Sequence, residues 1–180
     1  MARRHILRSA RLTALAAATV ASIALLGACS TDSTDNSPEA DAVTVSVQWV
    51  KAVEGDSPGG GMTAAFAKIA NGSDRDVRIV SASSGVSEQV QLHEVVDSGG
   101  TTTMKEKDGG FVVPSNGSLT MTPGGEHFMF MGVQRPIRAG QQVAITVRFA
   151  DGSTTRVDAL ARDFDGNQEN YSPDHSGEHR

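Results

Sequence analysis

The sequence predicts an all-β fold, a single Greek-key β-sandwich built from short antiparallel strands. Apolar and polar residues alternate with period two along several segments, as at Val43, Val45 and Val47, which is the pattern of a half-buried strand. Turn-forming sequences such as SPGGG, NGS, SGG and PGG separate these segments at short intervals. Helical periodicity is not convincing in any segment, so strands are expected throughout the domain.

The predicted strands follow one another from position 43. Val43, Val45, Val47 and Trp49 share one face of the first strand. Further strands are predicted at 62–70, 77–82, 88–96, 101–106, 111–113, 118–122, 126–131, 143–149 and 154–160. Short strands at this spacing are typical of cupredoxin-like or immunoglobulin-like sandwiches. A chain of 180 residues is long enough for one such domain with a single core.

Composition limits the partners of this domain. Aromatic residues make up only 4% of the chain, which argues against an aromatic platform for nucleic-acid bases. The formal net charge is -5, and the first 28 residues hold four Arg and no acidic residue, so the remainder is more acidic still. An acidic surface repels nucleic acid. We expect a monomer with no nucleic-acid partner.

The N-terminal region predicts a lipid-anchored protein. Residues 1–28 combine a basic opening with an apolar stretch of about 15 residues, shorter than the ~20 needed to span a bilayer, so a signal peptide is favoured over a transmembrane helix. The run LGAC that ends at Cys29 resembles the lipobox of bacterial lipoproteins, in which the cysteine is lipidated. Residues 29–42 are polar and predict a flexible tether. We expect the domain at 43–162 to be anchored on the extracytoplasmic face of the cell membrane.

The C-terminal segment at 163–180 is polar and acidic and predicts a disordered tail. His175 and His179 lie four residues apart in this tail, a spacing that would allow capture of Cu(II). A solvated tail without a metal is the favoured interpretation.

Histidine and methionine are the chemically informative residues of the domain. If Cys29 carries lipid, the folded domain contains no thiol, and any metal site must use other donors. His93 and Met104 lie on successive predicted strands with a turn between them. A loop centred between Ser98 and Gly99 would place their side chains directly opposite each other, with Cβ atoms about 4.5–5.5 Å apart. We therefore expect an imidazole and a thioether to converge from one hairpin.

A second pair of this kind lies on the strand predicted at 126–131. Period two places His127 and Met129 on one face of that strand and two phenylalanines on the other. Because phenylalanines claim the core more strongly, we expect His127 and Met129 to point outward, in a site at the protein surface. The alternative is ordinary packing, since methionine fills core gaps and a lone histidine is commonly a satisfied polar residue.

Four segments resemble the periplasmic copper(I) chaperone family known as PCuAC: QWVKA, MTAAFAKIANGSDRDVRIVSASS, VQLHEV and PGGEHFMFMGVQRPIRAGQQVAITVRF. The family's ligand pattern is a His, a Met eleven positions later, and a distant His-x-Met. The resemblance implies four metal ligands in this chain, namely His93, Met104, His127 and Met129. The chain departs from the family by one extra residue between Met104 and His127, and by Val95 where members often carry methionine. Neither departure removes a ligand.

Two imidazoles and two thioethers suit one Cu(I) per domain, because thioethers are soft donors that serve Zn(II) or Ca(II) poorly. Ag(I) fits the same ligands. Both histidines must be neutral to bind the ion. A blue-copper electron carrier needs a cysteine thiolate, and Cys29 lies in the signal region, so that class is excluded.

The resemblance implies a metallochaperone that passes copper to an acceptor, the copper centre of a cytochrome c oxidase subunit or an assembly factor. Copper storage or detoxification is an alternative use of the same site. A lipid-anchored adhesion or ligand-binding sandwich without metal is a further alternative. The sequence has no GxSxG, Walker loop, HExxH or GxGxxG motif, and we do not expect an enzyme.

Three neighbours of the predicted ligands have other roles to consider. Met131 has a counterpart in many family members, and we expect it to pack beside the site. Glu94 and Glu126 each adjoin a predicted ligand and are candidates to contact one, although adjacent residues on a strand point to opposite faces.

Overall fold

The computed structural model describes residues 37–53, 61–166 and 170–171. They lie in one compact unit, Asn36–Arg180. The predicted signal peptide at 1–28, Cys29 and the histidines of the tail are outside the described residues. Across the described ranges, no helix has the length and apolar character needed to cross a membrane.

The described structure consists of one short helix and eleven strands, which confirms the all-β prediction. In chain order the elements are α1 (Glu39–Ala42), β1 (Val43–Lys51), β2 (Gly61–Asn71), β3 (Val77–Ser83), β4 (Ser87–Ser98), β5 (Thr101–Glu106), β6 (Phe111–Val113), β7 (Ser118–Thr120), β8 (His127–Val133), β9 (Gln142–Phe149), β10 (Thr154–Arg162) and β11 (Asn170–Tyr171). Each strand predicted from the alternation is present.

Seven strands close into a barrel. Hydrogen bonding runs in the order β4, β8, β2, β1, β10, β9 and β3, and returns from β3 to β4 where Ala82 faces Val90. Outside this ring, β5 pairs with β4, β6 with β3, and β7 with β2. The predicted Greek-key sandwich is not confirmed, because these strands form one continuous sheet. Closure of this kind removes exposed strand edges.

The two ends of the predicted domain differ from expectation. Residues 29–36 of the predicted tether lie outside the described residues. In the rest of that range, α1 docks on the barrel: the Glu39 amide donates to the Asp151 carboxylate at 2.7 Å and the Ala40 amide to the Ser153 hydroxyl at 3.0 Å. At the other end, Asn170–Tyr171 pairs in parallel with β5, so the expectation of disorder fails at these two residues.

The strands bury one face as period two requires. On β9, for example, Val143, Ile145 and Val147 are each at most 1% exposed, whereas alternate residues face outward. β8 is different because four successive residues, His127 to Phe130, are all buried. This strand is covered on both faces, and it carries the candidate site.

A β-bulge in β1 corrects the expected face of one residue. The register with β2 shifts by one between Ser46 and Trp49, and Val47 has a φ of +56°. Val47 is 68% exposed, although the alternation predicted it on the same buried face as its neighbours. The extra residue places Val50 on the face of Val43 and Val45 and turns Trp49 to the opposite face, where it pairs with Phe66 on β2.

Candidate metal centre

Two buried histidines face each other across β4 and β8. His93 and His127 are direct partners in the antiparallel pairing, so both side chains leave the sheet on the same side. Their ring centroids are 5.6 Å apart and their ring planes are inclined at 59°. The side chains are only 1% and 2% exposed. The structure thus brings together two predicted ligands that lie 34 positions apart in the sequence.

The prediction that His127 and Met129 point outward is correct for the face of β8 but wrong for their exposure. His127 and Met129 leave β8 on the face opposite the two phenylalanines, but this face is covered, and Met129 is 5% exposed. Aromatic side chains contribute to the cover. The ring of Phe66 on β2 lies 6.1 Å from that of His127, and Trp49 lies 4.6 Å from Phe66. The candidate centre is therefore buried and not the surface site that was predicted.

Met104 does not lie directly opposite His93. The hairpin between β4 and β5 turns at Gly99 and Gly100, with φ of +68° and +89°, so Val95 pairs with Met104 and His93 pairs with Glu106. Two residues with positive φ are what a two-residue hairpin loop demands, and glycine supplies this without strain. The loop is centred one residue later than predicted, which displaces Met104 by two positions. Because this displacement is an even number of residues, Met104 stays on the same face of the sheet as His93.

Three of the four predicted ligands line one cleft of about 220 Å³: Met104, His127 and Met129. The rest of the lining comes from β1, β2, the turn before β8 and the segment after β10, namely Lys51, Met62, Thr63, Ala64, Phe66, Pro123, Phe164 and Gly166. His93 is not part of the lining, and it joins the group through its contact with His127.

Hydrogen bonds assign the ring nitrogens of both histidines. The Nδ1–H of His127 donates to the Gly125 carbonyl at 2.9 Å, so in the neutral ring the lone pair is on Nε2. His93 is held in the other tautomer. Its Nε2 donates to the Gln91 side-chain oxygen at 2.9 Å, and the Gln91 amide donates in turn to Glu106 at 3.2 Å. The lone pair of neutral His93 is then on Nδ1.

Burial keeps His93 neutral. Desolvation, with a smaller contribution from the charge of His127, lowers the pKa of His93 to about 4. A histidine that stays neutral through the mildly acidic range retains the lone pair that a metal ion requires.

The two carboxylates next to the histidines bind a lysine instead of the ligands. Lys107 Nζ lies 2.5 Å from Glu94 and 3.2 Å from Glu126, and Lys105 lies 3.7 Å from Glu94. The hydrogen bond from Lys107 lowers the pKa of Glu94, and the same bond raises the pKa of Lys107. Glu94 and Glu126 therefore help hold β4 and β8 together through Lys107.

A metal ion in this cleft would depend on thioethers. Within the described ranges, no three His, Cys, Asp or Glu side chains form a group that could hold a metal ion. Two imidazoles with thioether donors fit a soft monovalent ion and fit Zn(II) or Ca(II) poorly.

Sequence reasoning missed Met62 and Gln91. Met62 lines the cleft from β2, which pairs with β8 across a long sequence separation, so local pattern does not reveal it. Gln91 lies two residues before His93, and period two alone places both on one face. Met131 is half-buried and is not among the residues that line the cleft.

Comparison with known proteins identifies the family. Residues 43–161 match the family described as "Putative lipoprotein LpqE-like". "Putative lipoprotein Lxx21020" of Leifsonia xyli subsp. xyli is 44% identical over 133 residues, which cover 74% of this chain and 77% of the relative.

Two solved structures share the fold. The solution structure titled "CuI-DR1885 from Deinococcus Radiodurans" is 31% identical with a TM-score of 0.50, over 68% of this chain and 81% of that one. The "Copper-bound PCuAC domain from PmoF2" has a TM-score of 0.55 at 18% identity, over 68% of this chain and 93% of that one. The chain therefore belongs to the LpqE-like lipoprotein family, and the predicted membership of the PCuAC type is confirmed.

Proposed function

We propose that this chain is an extracytoplasmic copper chaperone and not an enzyme. It holds one Cu(I) through His93, Met104, His127 and Met129. It delivers the ion to an acceptor protein, the copper centre of a cytochrome c oxidase subunit or an assembly factor for that centre. Cys29 carries the lipid that anchors the chain on the outer face of the cell membrane.

The cleft beside His127 is the observation that carries this proposal. Residues from β5 and β8, far apart in the sequence, bring Met104, His127 and Met129 to one small space, and His93 lies against His127. Apolar side chains would fill this space at a lower cost in free energy than two histidines, because a buried polar ring must find hydrogen-bond partners. Two thioethers and two imidazoles this close together favour Cu(I) over harder metal ions.

The hydrogen bonds of the two rings support the ligand role. Gly125 holds the Nδ1–H of His127 and Gln91 holds the Nε2–H of His93, so each ring has one donor bond and one basic nitrogen. Ligating histidines commonly have this arrangement, in which the second nitrogen is fixed by a hydrogen bond. Binding of Cu(I) would displace no proton from His93, because that ring is already neutral at physiological pH.

The comparisons support the choice of metal and the anchor. The relatives whose titles state bound copper include the CuI form of the Deinococcus protein, and that relative is 31% identical to this chain. The family description names lipoproteins, which supports lipidation at Cys29.

Anaerobic titration of the full-length protein with Cu(I), against a competing chelator, tests the site. We expect one equivalent to bind, and Met104→Leu or Met129→Leu to weaken binding by at least about tenfold, since loss of one ligand is worth more than 1.4 kcal/mol. Met131→Leu is the matched control, because it removes a half-buried thioether that does not line the cleft. Failure to compete with the chelator, or equal binding by all variants, would exclude the chaperone role and favour a sandwich without metal.

Delivery is tested separately from binding. The Cu(I)-loaded protein is mixed with a copper-free oxidase subunit, and copper in each is measured after separation. Transfer is expected. Binding without transfer to either the subunit or an assembly factor would instead indicate storage or detoxification.

A further inference from the structure

Met62 is an exposed thioether at the same cleft as the predicted ligands. It is the second residue of β2 and lines the cleft together with Met104, His127 and Met129. Its side chain is 47% exposed, whereas Met121 and Met129 are buried and Met104 and Met131 are half-buried. A methionine that only filled a gap would be buried.

The burial of the centre creates a problem of access. His93, His127 and Met129 are each at most 5% exposed. A copper acceptor must bring its own donor atom to the ion before the old ligands release it, because direct exchange of ligands avoids releasing unbound Cu(I) into water. Three of the four proposed ligands are covered and Met104 is half-buried, so little of the ion would be open to an incoming donor. A donor that spans the cleft and the solvent would connect the two.

Met62 meets the chemical requirements of that donor. It is neutral and soft, so it binds Cu(I) without competition from protons. Methionine has three rotatable side-chain bonds, so its sulfur can move between the cleft and the solvent while β2 stays in place. β2 pairs directly with β8, with Ala64 opposite Met129, so the backbone carrying Met62 is fixed relative to the ligands of β8.

We propose that Met62 is the exchange ligand of the centre, through which Cu(I) enters and leaves; this rests on the proposed copper site. The thioether of Met62 forms a bond to Cu(I) as the bond from a resident thioether breaks. The remaining bonds to this chain, and finally the bond to Met62, break one at a time as donor atoms of the partner replace them. Copper remains Cu(I) throughout, so no electron or proton is transferred. Met62 is not part of the resting coordination.

The test compares rate with affinity in the full-length protein. Met62→Leu keeps the apolar volume and removes the sulfur, and Met131→Leu is the matched control. Release of Cu(I) to excess bicinchoninate is followed by stopped-flow absorbance under anaerobic conditions. We expect release from Met62→Leu to be slowed by about tenfold or more, the effect of raising the barrier by about 1.4 kcal/mol. The dissociation constant should change by less than about threefold.

Each outcome separates this proposal from the one it rests on. Unchanged release from Met62→Leu, with copper bound normally, would overturn the exchange role and leave the site intact. A large loss of affinity would also overturn it, because Met62 would then be a resident ligand. If the wild-type protein bound no Cu(I), the proposed function itself would fail. Thermal unfolding of the copper-free variants checks that both leucine substitutions preserve the fold.

Discussion

His93 and His127 offer different ring nitrogens to one centre. The backbone carbonyl of Gly125 selects the tautomer of His127, whereas the side chain of Gln91 selects that of His93. Both choices depend on residues two positions away on the chain, so each histidine is oriented by a residue close to it in the sequence. The centre is therefore arranged before any ion binds, which reduces the cost of ordering the ligands.

The copper-free protein is expected to lose stability as the pH falls from about 6.5 to about 4. Burial and the charge of His127 lower the pKa of His93 to about 4, while an unfolded histidine titrates near 6.5. Between these values the unfolded chain binds a proton that the folded chain excludes, so the free energy of unfolding decreases as the pH is lowered. The loss is at most about 3 kcal/mol. Urea denaturation from pH 7.5 to 4.5 without metal measures it.

The control for this pH dependence is His93→Gln, which has no titratable group at that position. Its free energy of unfolding should vary less with pH between 6.5 and 4 than that of the wild-type protein, whatever its absolute stability. Identical pH slopes for the two proteins would show that His93 does not titrate as its burial requires.

At the scale of single elements, local pattern predicted the strands well and their pairing less well. The alternation within β4 and β5 is a property of each segment, and both strands form where it places them. The register between them depends on which two residues adopt positive φ. Gly99 and Gly100 do so at no steric cost, whereas Ser98 would be strained in that conformation. Met104 therefore lies opposite Val95 and not opposite His93.

Lys107 joins the strands that carry the two histidines. It follows β5 and contacts Glu94 on β4 and Glu126 just before β8. We expect Lys107→Met to lower the free energy of unfolding by about 1 kcal/mol, because Glu126 would lose its ion pair and Glu94 would keep only the more distant Lys105. Chemical denaturation at low and high salt measures the effect, which should shrink as salt screens these ion pairs.

Lys105→Met is the control for this ion cluster. Its ammonium group lies 3.7 Å from Glu94 and is 48% exposed, so its removal should change stability little. If the two substitutions lowered the free energy of unfolding equally, Lys107 would act only through the net charge of the protein and not by joining the strands.

At the scale of the whole molecule, closure of the barrel determines which strand faces are buried, and the local sequence pattern does not show this. The face of β8 that carries His127 looks exposed from its alternation with Phe128 and Phe130. It is buried because Phe66 and Trp49 come from strands far away in the sequence. The same non-local pairing brings Met62 to the cleft. Residue types therefore identified the candidate ligands, while their burial and access follow from the barrel.

The barrel also divides the ligands unequally. His93, His127 and Met129 lie on β4 and β8, which belong to the closed ring of seven strands, whereas Met104 lies on β5, outside the ring. In the copper-free protein, amides of β5 should exchange with solvent faster than those of β9, which pairs along seven positions with β10. Hydrogen exchange followed by mass spectrometry measures this difference.

Binding of Cu(I) should reduce that difference by linking β5 to the ring. A metal ion bound by Met104 and by ligands of β4 and β8 closes the open end of the hairpin, so exchange in β5 should slow more than exchange in β9. Met104→Leu removes the link from β5 and should leave its exchange fast when copper is added. If copper slowed β5 and β9 equally, copper would not link β5 to the ring through Met104. If β5 were already as protected as β9 without copper, the expected difference between the two strands would be wrong.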